Sequence, residues 1–196
     1  MKQLVVASTN PGKVREIRLA LKDLSEWSVE PLPAGIADPL ETGTSFAENA
    51  ALKAIHYSRC VDGFVLADDS GLCVEALDSR PGLYSARYAS TPEESNRRLL
   101  DELDALGPGA SRDATFFCAL ALSQAGTVVW AVERTLRGRI VHHAVGALGF
   151  GYDPIFLVPE LGKTLAELTT EEKNRVSARG QALAELRRFL KDPDGR

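Results

Sequence analysis

Apolar residues in this 196-residue chain fall into two kinds of pattern, short unbroken runs and isolated positions spaced three or four apart. Leu4 to Ala7 is a run that stops at Ser8-Thr9-Asn10, and a run bounded by a turn predicts a buried strand. Val14, Ile17, Leu21 and Leu24 then recur with helical spacing behind Asn10-Pro11-Gly12-Lys13, where Asn10 suits an N-cap and Pro11 the first helical position. Phe64 to Ala67 repeats the strand signature and is expected to end at Asp68-Asp69-Ser70-Gly71. Ser45 with Glu48, Thr91 with Glu94 and Thr169 with Glu172 have capping-box spacing. The first predicts a helix from about Phe46 to Ser58, and the second a helix from about Pro92 to Leu106 with Leu99, Leu100, Leu103 and Leu106 inward. Phe116 to Leu122 and Thr127 to Arg134, joined by Ser123-Gln124-Ala125-Gly126, predict a hairpin. A last helix is expected from near Ser177 through Leu183, Leu186 and Leu190, with residues 191–196 a loose tail. With no repeat, linker or low-complexity block, the expectation is one mixed α/β domain over residues 1–190.

Composition narrows the functional classes. A net charge of −4 gives no basic field for a nucleic-acid backbone, so a polyanionic ligand would have to meet local cations. The amino-terminal apolar run is too brief for a signal peptide or a membrane span, which makes a cytoplasmic location the expectation. Cys60, Cys73 and Cys118 are odd in number and widely spaced, and they read as reduced thiols. His56, His142 and His143 lack zinc-ligand spacing.

Four stretches are candidates for chemistry. At Ser8 to Lys13 a strand turns into a helix whose free amides and positive dipole end favour phosphate, with Gly12 allowing close approach and Lys13 supplying a charge. A capped helix with a surface lysine fits the same residues, and the pattern GxxxxGK[ST] is absent. Asp68-Asp69 at the end of a buried strand suggests a carboxylate site, with a polar turn as the alternative. Glu41, before the Ser45 cap, could join Asp69 in holding Mg²⁺ or be an exposed loop acid, and Lys53 is either a phosphate contact or part of a solvated face. Gly149-Phe150-Gly151-Tyr152-Asp153-Pro154 combines backbone freedom with aromatic surfaces fit for stacking on a base or for plugging a core edge. Lys173 and Arg179, before and at the start of the final helix, run against the dipole preference unless an anion sits there, with solvated charges as the alternative.

In order along the chain, Ser8-Thr9-Asn10-x-x-Lys13, Glu41-Thr42-Gly43, Phe46-x-Glu48-Asn49-Ala50, Ala67-Asp68-Asp69-Ser70-Gly71-Leu72, Pro81 to Tyr88, Gly149 to Phe156, Glu171-Glu172-Lys173 and Ser177-Ala178-Arg179-Gly180 form a series. The series resembles the inosine triphosphate pyrophosphatase family, from Leu4 to about Leu190. The resemblance implies an elongated α/β fold with two lobes around a nucleotide-binding cleft, usually a homodimer, that uses Mg²⁺. It implies hydrolysis of non-standard purine nucleoside triphosphates (ITP, dITP, XTP) to the monophosphate and pyrophosphate. On matching positions, Ser8, Thr9, Asn10, Pro11, Gly12 and Lys13 would hold phosphates, and Asp69 would be proton acceptor and, with Glu41, metal ligand. Ser70, Phe150, Gly151, Tyr152, Asp153, Lys173 and Arg179 would line the substrate, with Ala178 standing where many members carry histidine. Rival readings are a nucleotide-binding regulatory module without turnover and a pyrophosphatase for modified pyrimidine or methylated nucleotides.

Overall fold

A computed structural model describes residues 1–192. The strands and α-helices follow one another as β1 (Lys2–Ala7), α1 (Pro11–Leu21), β2 (Trp27–Pro31), α2 (Phe46–Tyr57), β3 (Phe64–Val74), α3 (Pro92–Ala105), β4 (Asp113–Gln124), β5 (Thr127–Ile140), β6 (Phe156–Val158), β7 (Lys163–Thr164), α4 (Thr170–Val176) and α5 (Ala178–Lys191). The fold is α/β, with one mixed sheet in the order β2-β1-β3-β4-β5-β6-β7. β1 pairs in parallel with β2 on one side and β3 on the other, Leu4 opposite Val29 and Phe64. β6 runs antiparallel to both β5 and β7. Among the described residues no helix is long and apolar enough to cross a membrane.

The capping signals act as read. Asn10 Oδ1 accepts from the amides of Gly12 and Lys13, Ser45 Oγ from Glu48 N and Thr91 Oγ1 from Glu94 N. Thr169 and Glu172 close a full reciprocal box. Glu48 turns instead to Thr44, whose amide and hydroxyl donate to its Oε2 at 2.6 and 2.9 Å. The hairpin is a two-residue turn with Ala125 at φ 48° and Gly126 at φ 80°, and this pair of positive angles matches the right-handed twist of the flanking strands. Both strands run longer than the apolar runs suggest.

Several expectations need correction. β3 does not stop at Asp68 but carries Asp68-Asp69-Ser70-Gly71 in extended form through to Val74, so the acidic pair is part of a strand and not a polar turn. Leu106, just past α3, is 53% exposed, whereas Leu99 and Leu103 are buried. The chain before the last helix forms a separate helix, α4, with Ser177 between it and α5. Lys191 belongs to α5 rather than to a tail, and residues 193–196 of the expected tail lie outside the described residues. β2 escaped the pattern because Trp27-Ser-Val-Glu-Pro has no continuous apolar run; an edge strand, hydrogen-bonded on one side, needs none.

Two compact units result. One comprises residues 1–69, 118–134 and 179 onward, the other residues 70–117 and 135–178. In the first, Leu4, Val5 and Val6 of β1 and Val65, Leu66 and Ala67 of β3 are essentially inaccessible, as are Ile17, Leu21, Ala54, Leu183 and Leu186 from the helices. The second has its own core of Leu72, Val74, Leu99, Leu103, Ile155, Phe156 and Leu165, with the Phe116 and Phe156 rings 4.6 Å apart.

Candidate active site

β1 ends at Ala7, opposite Ala67, and the next two residues of β3 are Asp68 and Asp69. The pair therefore emerges where its parallel neighbour stops, and side-chain alternation sends the two carboxylates to opposite faces. Their environments differ accordingly.

Asp68 is 3% exposed and lies in a buried ionic network. Its Oδ1 pairs with Lys13, and its Oδ2 accepts from Arg179 Nε at 2.7 Å and from Cys118 Sγ at 3.4 Å. Arg179 NH1 in turn reaches Glu16 Oε2 at 2.6 Å. Two cations and two anions thus balance in a space that would not tolerate one alone. Burial by itself would raise the Asp68 pKa, but Arg179 and Lys13 outweigh it and hold the carboxyl well below the usual carboxylate range. Burial, with Asp68 alongside, pushes the Cys118 thiol well above its ordinary value, so it stays an inert thiol.

Asp69 is only partly buried and faces Lys53, whose Nζ donates to Asp69 Oδ1 at 2.7 Å and to the Asp68 backbone carbonyl at 2.9 Å. Glu41 Oε1 approaches the same nitrogen at 3.1 Å. Burial raises the Asp69 pKa more than Lys53 lowers it, and the Glu41 charge adds to the rise. Burial would lower the Lys53 pKa, but the attraction of Asp69 and Glu41 prevails and keeps the ammonium charged.

Local sequence explains this convergence. Ser45 starts α2, and Asn49 and Lys53, one turn apart, share a helix face. Asn49, 4% exposed, accepts the Gly43 amide through Oδ1 at 2.9 Å and so anchors the loop that carries Glu41. A Cβ on Gly43 would lie 2.6 Å from that same oxygen, which is why the loop needs glycine there. Glu41 and Asp69 are hard oxygen donors already converging on one cationic nitrogen, which is the donor set a Mg²⁺ ion takes when substrate phosphates complete its shell. Among the described residues no group of three or more His, Cys, Asp and Glu side chains could hold a metal ion without such help.

The start of α1 corrects the free-amide reading. Pro11 has no N–H, the Gly12 and Lys13 amides go to Asn10 Oδ1, and Val14 N goes to the Asn10 carbonyl at 3.1 Å. Ser8 Oγ takes the Asn10 amide at 3.2 Å. An anion here would meet the Ser8 and Thr9 hydroxyls and the Lys13 ammonium rather than a row of open amides.

In the second unit the aromatic loop is tied internally. Gly149 has φ 75°, and a Cβ on it would come within 2.1 Å of Asp153 Oδ2, the oxygen that accepts from Phe150 N at 2.7 Å. The same carboxylate pairs with Lys173, whose Nζ stands 4.4 Å from the centre of the Phe150 ring. Tyr152 is buried and its hydroxyl donates to the Ser85 carbonyl at 2.9 Å, with burial pushing its pKa up to about 12. Lys173 sits in the last turn of α4, the end the helix dipole favours for a cation, so its expected conflict with the dipole does not exist. Arg179 does stand in the first turn of α5, and Asp68 and Glu16 are the anions that offset it. Arg179 is therefore held by carboxylates, not presented as an open donor. Ser70 is half-buried on β3, and Ala178 is 3% exposed.

The first unit thus gathers Lys13, Glu41, Lys53, Asp69 and Arg179, and the second gathers Phe150, Gly151, Tyr152, Asp153 and Lys173. Sequence reasoning missed Asp68 and Glu16 as structural partners. Glu16 carried no signal in the helical pattern, because it lies one residue, or about 100° of turn, from Ile17 and outside the apolar set; its burial is explained by Arg179.

The Ham1 family model matches residues 4–189. A dITP/XTP pyrophosphatase of Gloeobacter violaceus is 48% identical over 186 residues, 95% of this chain and 93% of that protein. One from Geobacillus kaustophilus is 47% identical, again over 95% of this chain and 93% of its own length. The structure of a HAM1 protein from Coxiella burnetii aligns with a TM-score of 0.88 at 39% identity, covering 98% of this chain and all of that one (100%). The ordered motifs, the mixed sheet and these near-full-length matches agree, and the chain belongs to the Ham1 family.

Proposed function

We propose that this chain is a Mg²⁺-dependent pyrophosphatase that hydrolyses ITP, dITP and XTP to the nucleoside monophosphate and pyrophosphate, removing deaminated purines from the nucleotide pool. The observation that carries this reading is the convergence of Glu41 and Asp69 on Lys53 at the end of a parallel strand pair, in a chain whose near-full-length relatives are named dITP/XTP pyrophosphatase.

Each residue has a chemical task. Ser8, Thr9 and Lys13 receive phosphate oxygens at the start of α1, where Asn10, Pro11 and Gly12 shape the turn. Asp69, at the end of the parallel strand pair, accepts a proton from the water that attacks the α-phosphorus. Lys53 keeps Asp69 oriented and offsets its charge with that of Glu41. A divalent cation held by Asp69 and Glu41 would neutralise charge on the triphosphate and so favour departure of pyrophosphate. Phe150 offers a ring face to the base, stiffened by Lys173 and Asp153. A donor aimed at the 6-oxo group of hypoxanthine or xanthine would be left unpaired by the amino group of adenine, which is a strong penalty in a buried site. Arg179 acts one step back, fixing Asp68 and through it the strand that presents Asp69.

The three cysteines are free, which suits the reducing cytoplasm. The family resemblance also points to a homodimer, for which light scattering after gel filtration is expected to return twice the mass of one chain.

The deciding assay is pyrophosphate release from ITP, dITP, XTP, GTP and ATP, with Mg²⁺ and with EDTA. Selective release from the first three, abolished by EDTA, is expected. Equal rates with ATP and ITP would refute the selectivity, and binding without release would favour a regulatory module.

A further inference from the structure

Asn96 lies in the second turn of α3 and is 9% exposed. Its Nδ2 donates to the carbonyl of Gly151 at 3.0 Å, while its Oδ1 is buried with no hydrogen-bond partner among the described residues. Chemistry fixes the orientation of the amide, because turning it over would set two oxygens face to face. An unpaired buried acceptor lowers stability, and a leucine of nearly the same volume would avoid that cost. The asparagine is therefore best explained by the bond it does make.

That bond falls on a residue of the aromatic loop that has no side chain to pack. Gly151 has φ 61° and a Cβ there would meet nothing within 4 Å, so no side-chain packing holds this residue, while the Phe150 carbonyl before it accepts from Asp153 N at 3.2 Å. The rest of the loop is tied elsewhere: Phe150 N to Asp153, Asp153 to Lys173, and the Tyr152 hydroxyl to Ser85. Between the tied Phe150 and the tied Tyr152, the Gly151 carbonyl is held by Asn96.

We propose that Asn96 is a positioning residue for base recognition, fixing the Gly151 peptide so that the Phe150 ring is presented in one orientation. The proposal rests on the reading of this loop as the base-binding surface. It places the effect of Asn96 on affinity for the nucleoside and not on the chemical step, which belongs to the Asp69 group.

The test compares Asn96→Leu and Asn96→Asp with wild type in ITP hydrolysis, and measures inosine monophosphate affinity by calorimetry. Loss of one buried hydrogen bond is expected to raise KM for ITP, and Kd for the monophosphate, by about tenfold in N96L, with kcat within about twofold. N96D, which sets an anion against the carbonyl, is expected to do more. If N96L does not fold, Asn96→Ser keeps a hydroxyl donor within reach of a bridging water and is expected to fall between N96L and wild type. Unchanged KM and Kd, or a fall in kcat alone, overturns the proposal as a mere packing role. A wild type silent on every purine triphosphate and blind to the monophosphate overturns the base-binding reading and this inference with it, an outcome distinct from an active wild type with an unaffected N96L.

Discussion

Asp68 and Asp69 are neighbours on one strand, yet the same substitution should have opposite consequences at the two positions. Asp68→Asn removes the carboxylate that pairs with both Lys13 and Arg179, while Arg179 keeps its pair with Glu16. Removing one partner of a buried ion pair costs about 3–5 kcal/mol, because the surviving charge stays buried without compensation. In a chain of this size each kcal/mol moves Tm by roughly 2–4 °C, so D68N is expected to melt roughly 6–20 °C below wild type. Asp69→Asn neutralises a carboxylate whose charge burial already disfavours, so its Tm should stay within about 2 °C of wild type or rise, while pyrophosphate release is lost. A second substitution tests the cause. Lys13→Met in the D68N background restores one cation to one anion and should recover at least about 1 kcal/mol, or roughly 2–4 °C. Thermal melts of the four proteins at pH 7, followed by circular dichroism, give the answer. A D68N that melts with wild type, or a double variant no better than D68N, would refute the charge-balance argument.

Two further outcomes follow from the same geometry. Gly149→Ala would drive a methyl into Asp153 Oδ2 at a positive φ, so the Phe150–Asp153 bond should break at a cost of about 1–3 kcal/mol; kcat/KM for ITP should fall at least about tenfold, and an unaltered kcat/KM would show that the loop does not hold the base. Asp68 also sets an acid limit. Its folded pKa is depressed below the unfolded value of about 4, so its contribution is complete above that pH and is lost as pH falls through the folded value. Melts at stepped pH should show Tm dropping faster below about pH 4 in wild type than in D68N, and parallel curves would exclude Asp68 as a source of acid lability.

Legibility in the sequence divides by the distance between partners. Helix starts were readable because a cap and its amide lie within three residues, as with Asn10, Ser45, Thr91 and Thr169. The hairpin was readable because Ala125-Gly126 is a local turn between two apolar runs. The acidic pair was legible as a site at a strand end, but that β3 continues through it to Val74 was not, since the end of β1 opposite Ala67 is a fact of register. The least legible features were the buried cations. Arg179 finds Asp68 at a separation of 111 residues and Glu16 at 163, whereas Lys173 finds Asp153 at 20. From sequence the two cations looked alike, as charges opposing one helix dipole. In the fold Lys173 stands in the last turn of its own helix, where the dipole favours it, and only Arg179 opposes the dipole, with two carboxylates from distant segments offsetting it. Whether a cation near a helix start is a ligand contact or a structural tie depends on such anions. Counting ion pairs separates the two acids by their partners: Asp68 is shared by the buried cations Lys13 and Arg179, whereas the half-buried Asp69 meets Lys53 alongside Glu41, and Arg179 is the residue that ties Asp68 to Glu16.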